Sequence, residues 1–224
     1  MSLPNSSTEF AAFIEHTLLR ADATLRQIQT LCAQARQHGF RGVCVNGVWV
    51  DHARALLEDS DVKIICAVGF PLGANFGDVK RFEAEAAIDD GAQELDLVVS
   101  IGRLKSGDDK YVLRELRDVV EAADERPVNV ILETGLLTRD EIIRASHLVL
   151  DSGAKCVGTS TGFAETPGDA NLENIKLLRE IVGAEFGIKA AGVQDAKTAL
   201  ALIETGATRL GACNAVAVLA GFSK

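Results

Sequence analysis

The feature that most constrains this chain is an alternation repeated along most of its length. Short runs rich in β-branched residues are each followed by a longer amphipathic stretch, and several of those stretches stop at glycine. The short runs are Val43-Cys44-Val45, Val62 to Gly69, Glu94 to Ser100, Val128 to Glu133, Cys156 to Thr161, Gly187 to Ala191 and Arg209 to Cys213. They recur at roughly the 30-residue length of a strand–helix–strand unit. The stretches between them carry helix starts and stops. Thr24-Leu25-Arg26-Gln27 and Thr138-Arg139-Asp140-Glu141 are capping boxes, Asp195 can cap a helix from Ala196 to Glu204, and Gly39, Gly91, Gly153 and Gly206 stand at helix ends.

Near-continuous apolar strands joined through helices predict a parallel sheet covered on both sides. An open sheet built for nucleotides would carry GxGxxG or GxxxxGK[ST] after its first strand, and neither occurs. Ile14-Glu15-His16-Thr17-Leu18-Leu19, preceded by a short helix from Thr8 to Phe13, supplies an eighth strand at the start. The fold class expected is therefore α/β, a (β/α)8 TIM barrel with a short N-terminal helix. No Pro/Gly/Ser-rich linker or shift of composition interrupts residues 1–224, so one domain is expected.

Composition narrows the function. With 47% hydrophobic residues in 224, the chain can bury a full core, and a net charge of −9 argues against nucleic acid or an anionic membrane as partner. Its longest apolar stretches, such as Val62 to Leu72, fall short of the roughly 20 residues a spanning helix needs. The N-terminus has neither the basic region nor the apolar segment of a signal peptide, which predicts a cytoplasmic protein. The five cysteines form no CxxC pair and read as buried free thiols, and the four histidines show no paired spacing, so no metal and no cofactor is expected.

In a barrel, polar residues at strand ends carry the chemistry. Asp96 stands within Leu95-Asp96-Leu97-Val98-Val99, Glu133 ends Val130-Ile131-Leu132-Glu133, and Lys189 sits in Gly187-Ile188-Lys189-Ala190-Ala191. A desolvated lysine close to a second cation can attack a carbonyl as a neutral amine, with carboxylates moving protons. A buried Lys–Asp pair that only closes a polar layer of the barrel is the alternative. Thr159-Ser160-Thr161-Gly162-Phe163 has the composition to cradle a phosphate or sugar hydroxyls, or to form an ordinary Ser/Thr turn. Gly69-Phe70-Pro71-Leu72-Gly73 reads as a rigid scaffold turn, Trp49 and Tyr111 as packing residues of helices, and Lys105-Ser106-Gly107-Asp108 as a surface loop with a helix cap.

At these positions the chain resembles the deoxyribose-phosphate aldolases, class I aldolases that join acetaldehyde to glyceraldehyde 3-phosphate reversibly through a lysine Schiff base. The resemblance runs from about Phe13 to Gly221. It rests on Ile14 to Leu19, Val43-Cys44-Val45-Asn46, Val68 to Gly73, Glu94-Leu95-Asp96, Leu104 to Gly107, Leu132 to Leu137, Thr159 to Phe163 and Lys189-Ala190-Ala191-Gly192. It implies that Asp96 is an acid/base carboxylate, Lys189 the second lysine that tunes the first, and Cys44 a pocket residue. It further implies substrate binding by Glu15, Glu133, Thr159, Thr161, Gly162, Gly192, Gly211, Cys213 and Asn214, a small aldehyde or sugar phosphate as ligand, and a homodimer or tetramer.

The chain departs from the family's pattern where the nucleophile belongs. The family's Schiff-base lysine immediately precedes the Thr-Ser-Thr-Gly run, and here that position is Gly158. Where the family has a double glycine after the second lysine this chain reads Ala191-Gly192-Val193-Gln194, with one glycine gone, and where it has a Ser-Ser pair after the last strand this chain reads Gly211-Ala212-Cys213-Asn214, with both serines replaced. Lys155 would start its strand at the wrong end to substitute, and Lys189, without a cationic neighbour, should be mostly protonated. Three readings follow: an impaired aldolase, a silent barrel that binds a small carbonyl or phosphate compound or a protein, or a non-imine lyase or isomerase using Asp96, Glu133 and Lys189.

Overall fold

The computed structural model describes residues 3–164 and 171–222. Eight parallel strands close into one barrel in sequence order: β1 (Ile14–Leu18), β2 (Gly42–Asn46), β3 (Lys63–Val68), β4 (Glu94–Val98), β5 (Val128–Ile131), β6 (Cys156–Gly158), β7 (Gly187–Ala190) and β8 (Arg209–Ala212), with β8 pairing back onto β1. The expected (β/α)8 architecture is thus the observed one. α1 (Ser7–Ala11) precedes β1, and α2 (Leu25–His38), α3 (Val50–Leu57), α4 (Gly77–Asp90), α5 (Ile101–Lys105), α6 (Asp109–Ala122), α7 (Arg139–Ser152), α8 (Leu172–Val182), α9 (Ala196–Thr205) and α10 (Ala215–Ala220) surround the sheet.

Local chemistry sets the boundaries. Thr138 and Glu141 exchange side-chain bonds with each other's backbone N–H at the start of α7, and Asp195 Oδ1 accepts from Thr198 N at 2.8 Å at the start of α9. At the start of α2, Gln27 Oε1 accepts the Thr24 N–H at 2.8 Å. Asp108 does not cap α6 with its side chain and instead pairs with Arg103, whose guanidinium lies 4.5 Å from the Tyr111 ring centre. Trp49 belongs to a 3₁₀ turn over Gly47–Trp49 and not to the α-helix that follows.

Strand parity divides the core. Outward-facing residues such as Val43, Val45, Leu95, Leu97, Val128 and Val130 pack under the helices and form the main hydrophobic mass. The inward face is different: Leu19, Cys44, Ile65 and Ala67 make a small apolar cluster on one side, and buried charged and polar side chains occupy much of the rest. Alternation places Glu15, Glu94, Asp96, Asn129, Lys189 and Arg209 on that inner face.

The strands are shorter at their C-terminal ends than the sequence runs suggest. β5 stops at Ile131 because Glu133 adopts the left-handed region, with φ 58 and ψ 61, and β6 stops at Gly158. The residues beyond them turn away into βα loops, where side chains can converge on the barrel mouth. Lys155 lies just before β6, its N–H bonded to Val128 O, so it stands at the N-terminal rim, opposite the mouth.

Candidate active site

The barrel axis is filled by alternating charges. At the N-terminal side Glu94 accepts from Arg41 at 2.7 Å and pairs with Arg209, while Glu15 meets Arg41 at 3.3 Å and Arg209 at 3.9 Å. One layer further up, Lys189 Nζ stands between two carboxylates, Glu15 Oε2 and Asp96 Oδ2, the latter at 2.5 Å. Asp96 is held on its other side by Asn129 Nδ2 at 2.9 Å and by the Cys44 thiol at 3.4 Å. Register explains the convergence, because Asp96 pairs with Asn129 across β4 and β5, and Lys189 pairs with Gly158 across β6 and β7.

Burial and pairing set the protonation states. Burial opposes the charge on Lys189, but Asp96 and Glu15 outweigh it and hold the ammonium well above its ordinary range. Burial likewise opposes the charge on Asp96, and there Lys189, Asn129 and Cys44 win, leaving the carboxyl below its usual value. Burial, reinforced by the Asp96 charge, pushes the Cys44 thiol up, so it stays a neutral donor and not a nucleophile.

Above this layer opens a cavity of about 730 Å³ at the C-terminal ends of the strands. Asp96, Lys189 and Cys44 form its floor. Thr161 and Gly162 line it from the loop after β6, Gly192 from the loop after β7, and Gly211, Cys213 and Asn214 from β8 and beyond. Phe70 and Phe163 meet edge to face at 5.2 Å at its rim. Phe70 comes from the turn after β3, which contains a cis Phe70–Pro71 bond.

Four of the sequence candidates lie behind this lining. Glu15 sits beneath Lys189, inside the barrel. Thr159 is buried and accepts the Ala191 N–H at 3.2 Å. Glu133 is turned toward the β6 loop, where Thr161 engages it. Gly158 faces Asn129 and Ile131. Asn129, Arg41 and Arg209 were not singled out from sequence. For Asn129 the signal was present: an amide in an otherwise apolar strand, at the parity that faces inward.

The arrangement can hold a carbonyl oxygen near the Lys189 ammonium and move a proton through the Asp96 carboxylate. Comparison with known proteins gives the same direction. The model of the DeoC/LacD family aldolases matches residues 9–224. A deoxyribose-phosphate aldolase of Alkaliphilus oremlandii is 48% identical over 211 residues, 93% of this chain and 94% of the relative, and one from an Exiguobacterium species is 48% identical over 215 residues, 95% of this chain and 96% of the relative. The structure described as a unique tetrameric deoxyribose phosphate aldolase of Aeropyrum pernix superposes with a TM-score of 0.89 at 29% identity, covering 97% of this chain and 92% of its own. Fold and sequence agree, and the chain belongs to the DeoC/LacD aldolase family.

Proposed function

We propose that the cavity binds 2-deoxyribose 5-phosphate or the aldehydes from which it forms, acetaldehyde and glyceraldehyde 3-phosphate, and that cleavage through a lysine imine is impaired in this chain. The observation that carries the proposal is the pairing of Gly158 with Lys189 across β6 and β7. One of these neighbouring positions has no side chain, and the other holds an amine clamped between two carboxylates. Imine formation needs a neutral amine. At an ordinary lysine pKa fewer than about one amine in 3,000 is neutral at pH 7, and the carboxylates around Lys189 lower that fraction further.

Asp96, Lys189 and Cys44 retain a site that can polarise a carbonyl and shuttle a proton. This is also what a non-imine lyase or isomerase would use, without Glu133, whose carboxylate is occupied by the β6 loop. The test is paired: calorimetric titration with deoxyribose 5-phosphate, and a retro-aldol assay on the same compound. Binding with turnover at least about a thousandfold below that of an active relative supports the proposal, and turnover equal to the relative's contradicts it.

We also propose that two copies of this chain associate. Val48, Leu72, Phe76 and Phe82 are each at least 67% exposed around α4. Two phenylalanines with a leucine and a valine present roughly 500 Å² of apolar surface, near the upper limit for a monomer and enough for the centre of a standard interface. Sedimentation should give a dimer or larger assembly that Phe76→Asp with Phe82→Asp dissociates; a monomer in the unmodified chain contradicts it.

A further inference from the structure

The hydroxyl of Thr161 is committed on two sides. Its Oγ1 lies 2.5 Å from Glu133 Oε2 and accepts the Phe163 backbone N–H at 3.1 Å, and the Thr161 backbone N–H donates to the same Glu133 oxygen at 3.0 Å. A carboxylate has no proton to give, so the single hydroxyl proton goes to Glu133. One of the two lone pairs on Oγ1 receives the Phe163 N–H. What remains at Oγ1 is one acceptor position, on a residue that lines the cavity.

The backbone is built to make this contact. Glu133 adopts a left-handed conformation at φ 58, unusual for a residue with a side chain and costing about 1 kcal/mol or more. The Thr134 N–H bonds to Thr159 O at 2.8 Å and fixes the turn. The strained turn aims a buried carboxylate sideways at the β6 loop, and the Glu133 side chain does not enter the cavity. The same chain of contacts ends at Phe163, whose ring it places against Phe70 at the rim.

We propose that Glu133 is a positioning residue that fixes Thr161 as a pure hydrogen-bond acceptor, so that this wall of the mouth reads a ligand hydroxyl. A sugar O–H brought to Thr161 completes its last position. A phosphate or carbonyl oxygen brought there meets a lone pair and is rejected. The Thr161 hydroxyl is therefore a polyol-recognition element, and an anion in the mouth must be held by other groups. This inference rests on the sugar-phosphate reading above.

The test uses two ligands without a carbonyl, so that imine chemistry does not enter: sn-glycerol 3-phosphate, and 3-hydroxypropyl phosphate, which lacks only the central hydroxyl. By calorimetric titration at pH 7, the unmodified chain should bind the first at least about tenfold tighter, the discrimination expected from one hydrogen bond to a buried acceptor. Thr161→Val should reduce the ratio to within about twofold, and Thr161→Ser should retain it. Glu133→Ala, which removes the oxygen that accepts from both Thr161 groups and so frees the hydroxyl proton, should also reduce it. A role confined to holding the fold together would change both affinities alike and leave the ratio in place. Equal affinities in the unmodified chain overturn the inference while leaving the sugar-phosphate reading standing, and so does a ratio that survives Thr161→Val or Glu133→Ala. Failure of the chain to bind either compound overturns both.

Discussion

The Asn129 amide lies against the face of Gly158 from which a side chain would grow. A Cβ placed on Gly158 would stand 3.0 Å from Asn129 Nδ2, 3.2 Å from its Oδ1 and 3.2 Å from Ile131 Cγ1. The amide cannot swing freely, because Nδ2 is bonded to Asp96. A side chain at position 158 and the placement of Asn129 are therefore coupled, so a lysine introduced at Gly158 would have to displace the amide.

Gly158→Lys alone should accordingly be overpacked. It is expected to lose about 1–3 kcal/mol of stability and to gain little retro-aldol activity, whereas Gly158→Lys with Asn129→Ala should recover activity by a further order of magnitude. Release of glyceraldehyde 3-phosphate from deoxyribose 5-phosphate, together with urea unfolding, measures both. Full activity in the single variant would show that the Asn129 amide yields without cost.

Lys189→Met should be among the most destabilising changes in the barrel. It leaves Asp96 and Glu15 buried without their shared cation, at a cost of about 3–5 kcal/mol. The pH dependence follows from the signs. Asp96 lies below its ordinary 3.8, so its contribution is present above that pH and is lost as acid titrates the folded carboxyl. Lys189 lies above its ordinary 10.5, so its contribution is complete below that pH and is lost as alkali titrates the folded ammonium. The pair's contribution should thus be level between about pH 4 and pH 10. In Lys189→Met the curve should instead fall as pH rises above about 4, because Asp96 must ionise in a buried site without its cation. Urea unfolding across that range provides the check, and parallel curves for the two proteins would refute the pairing.

Phosphate recognition should be weak and repairable. Cys213 and Asn214 line the mouth and bring no side-chain hydroxyl to it. Cys213→Ser with Asn214→Ser adds two hydroxyl donors and should tighten deoxyribose 5-phosphate by about tenfold. Titration calorimetry decides it, and unchanged affinity would place the phosphate away from β8.

A second buried ion pair should matter for folding and not for ligand. Lys80 is wholly buried, donating to Val98 O at 2.9 Å, Ser100 Oγ at 3.2 Å and Glu115 Oε1 at 2.9 Å, and so ties α4 to β4 and α6. Burial outweighs the Glu115 partner and lowers its pKa from the ordinary lysine value. Lys80→Ala strands Glu115 and should cost about 3–5 kcal/mol in urea unfolding, with ligand affinity unchanged at temperatures where the variant stays folded.

The barrel was legible because each of its constraints is local. Capping boxes at Thr24 and Thr138, glycines at helix ends and apolar strands each stand in contiguous residues, and closure follows from having eight such units. Strand ends were read too far for a related reason: Leu132 and Glu133 continue the apolar and acidic pattern of β5, and only the left-handed turn at Glu133, fixed by bonds to the next loop, removes them from the sheet. Asp96 and Lys189 stood out as charges within apolar strands. That Glu15 completes their cluster depends on strands distant in sequence meeting on the barrel axis, and no local pattern encodes it. Likewise, Glu133 looks like a ligand-binding carboxylate in the sequence, and its commitment to Thr161 emerges from the fold.

In the proposed function the site retains proton-moving groups but has no amine free to form an imine. Borohydride reduction in the presence of acetaldehyde, followed by peptide mass mapping, tests it directly by trapping any imine as an ethylated lysine. The expected result is no ethylation of the peptide carrying Lys189 beyond that of the solvent-exposed lysines. Stoichiometric ethylation of Lys189, abolished in Lys189→Met, would contradict it and identify Lys189 as the nucleophile.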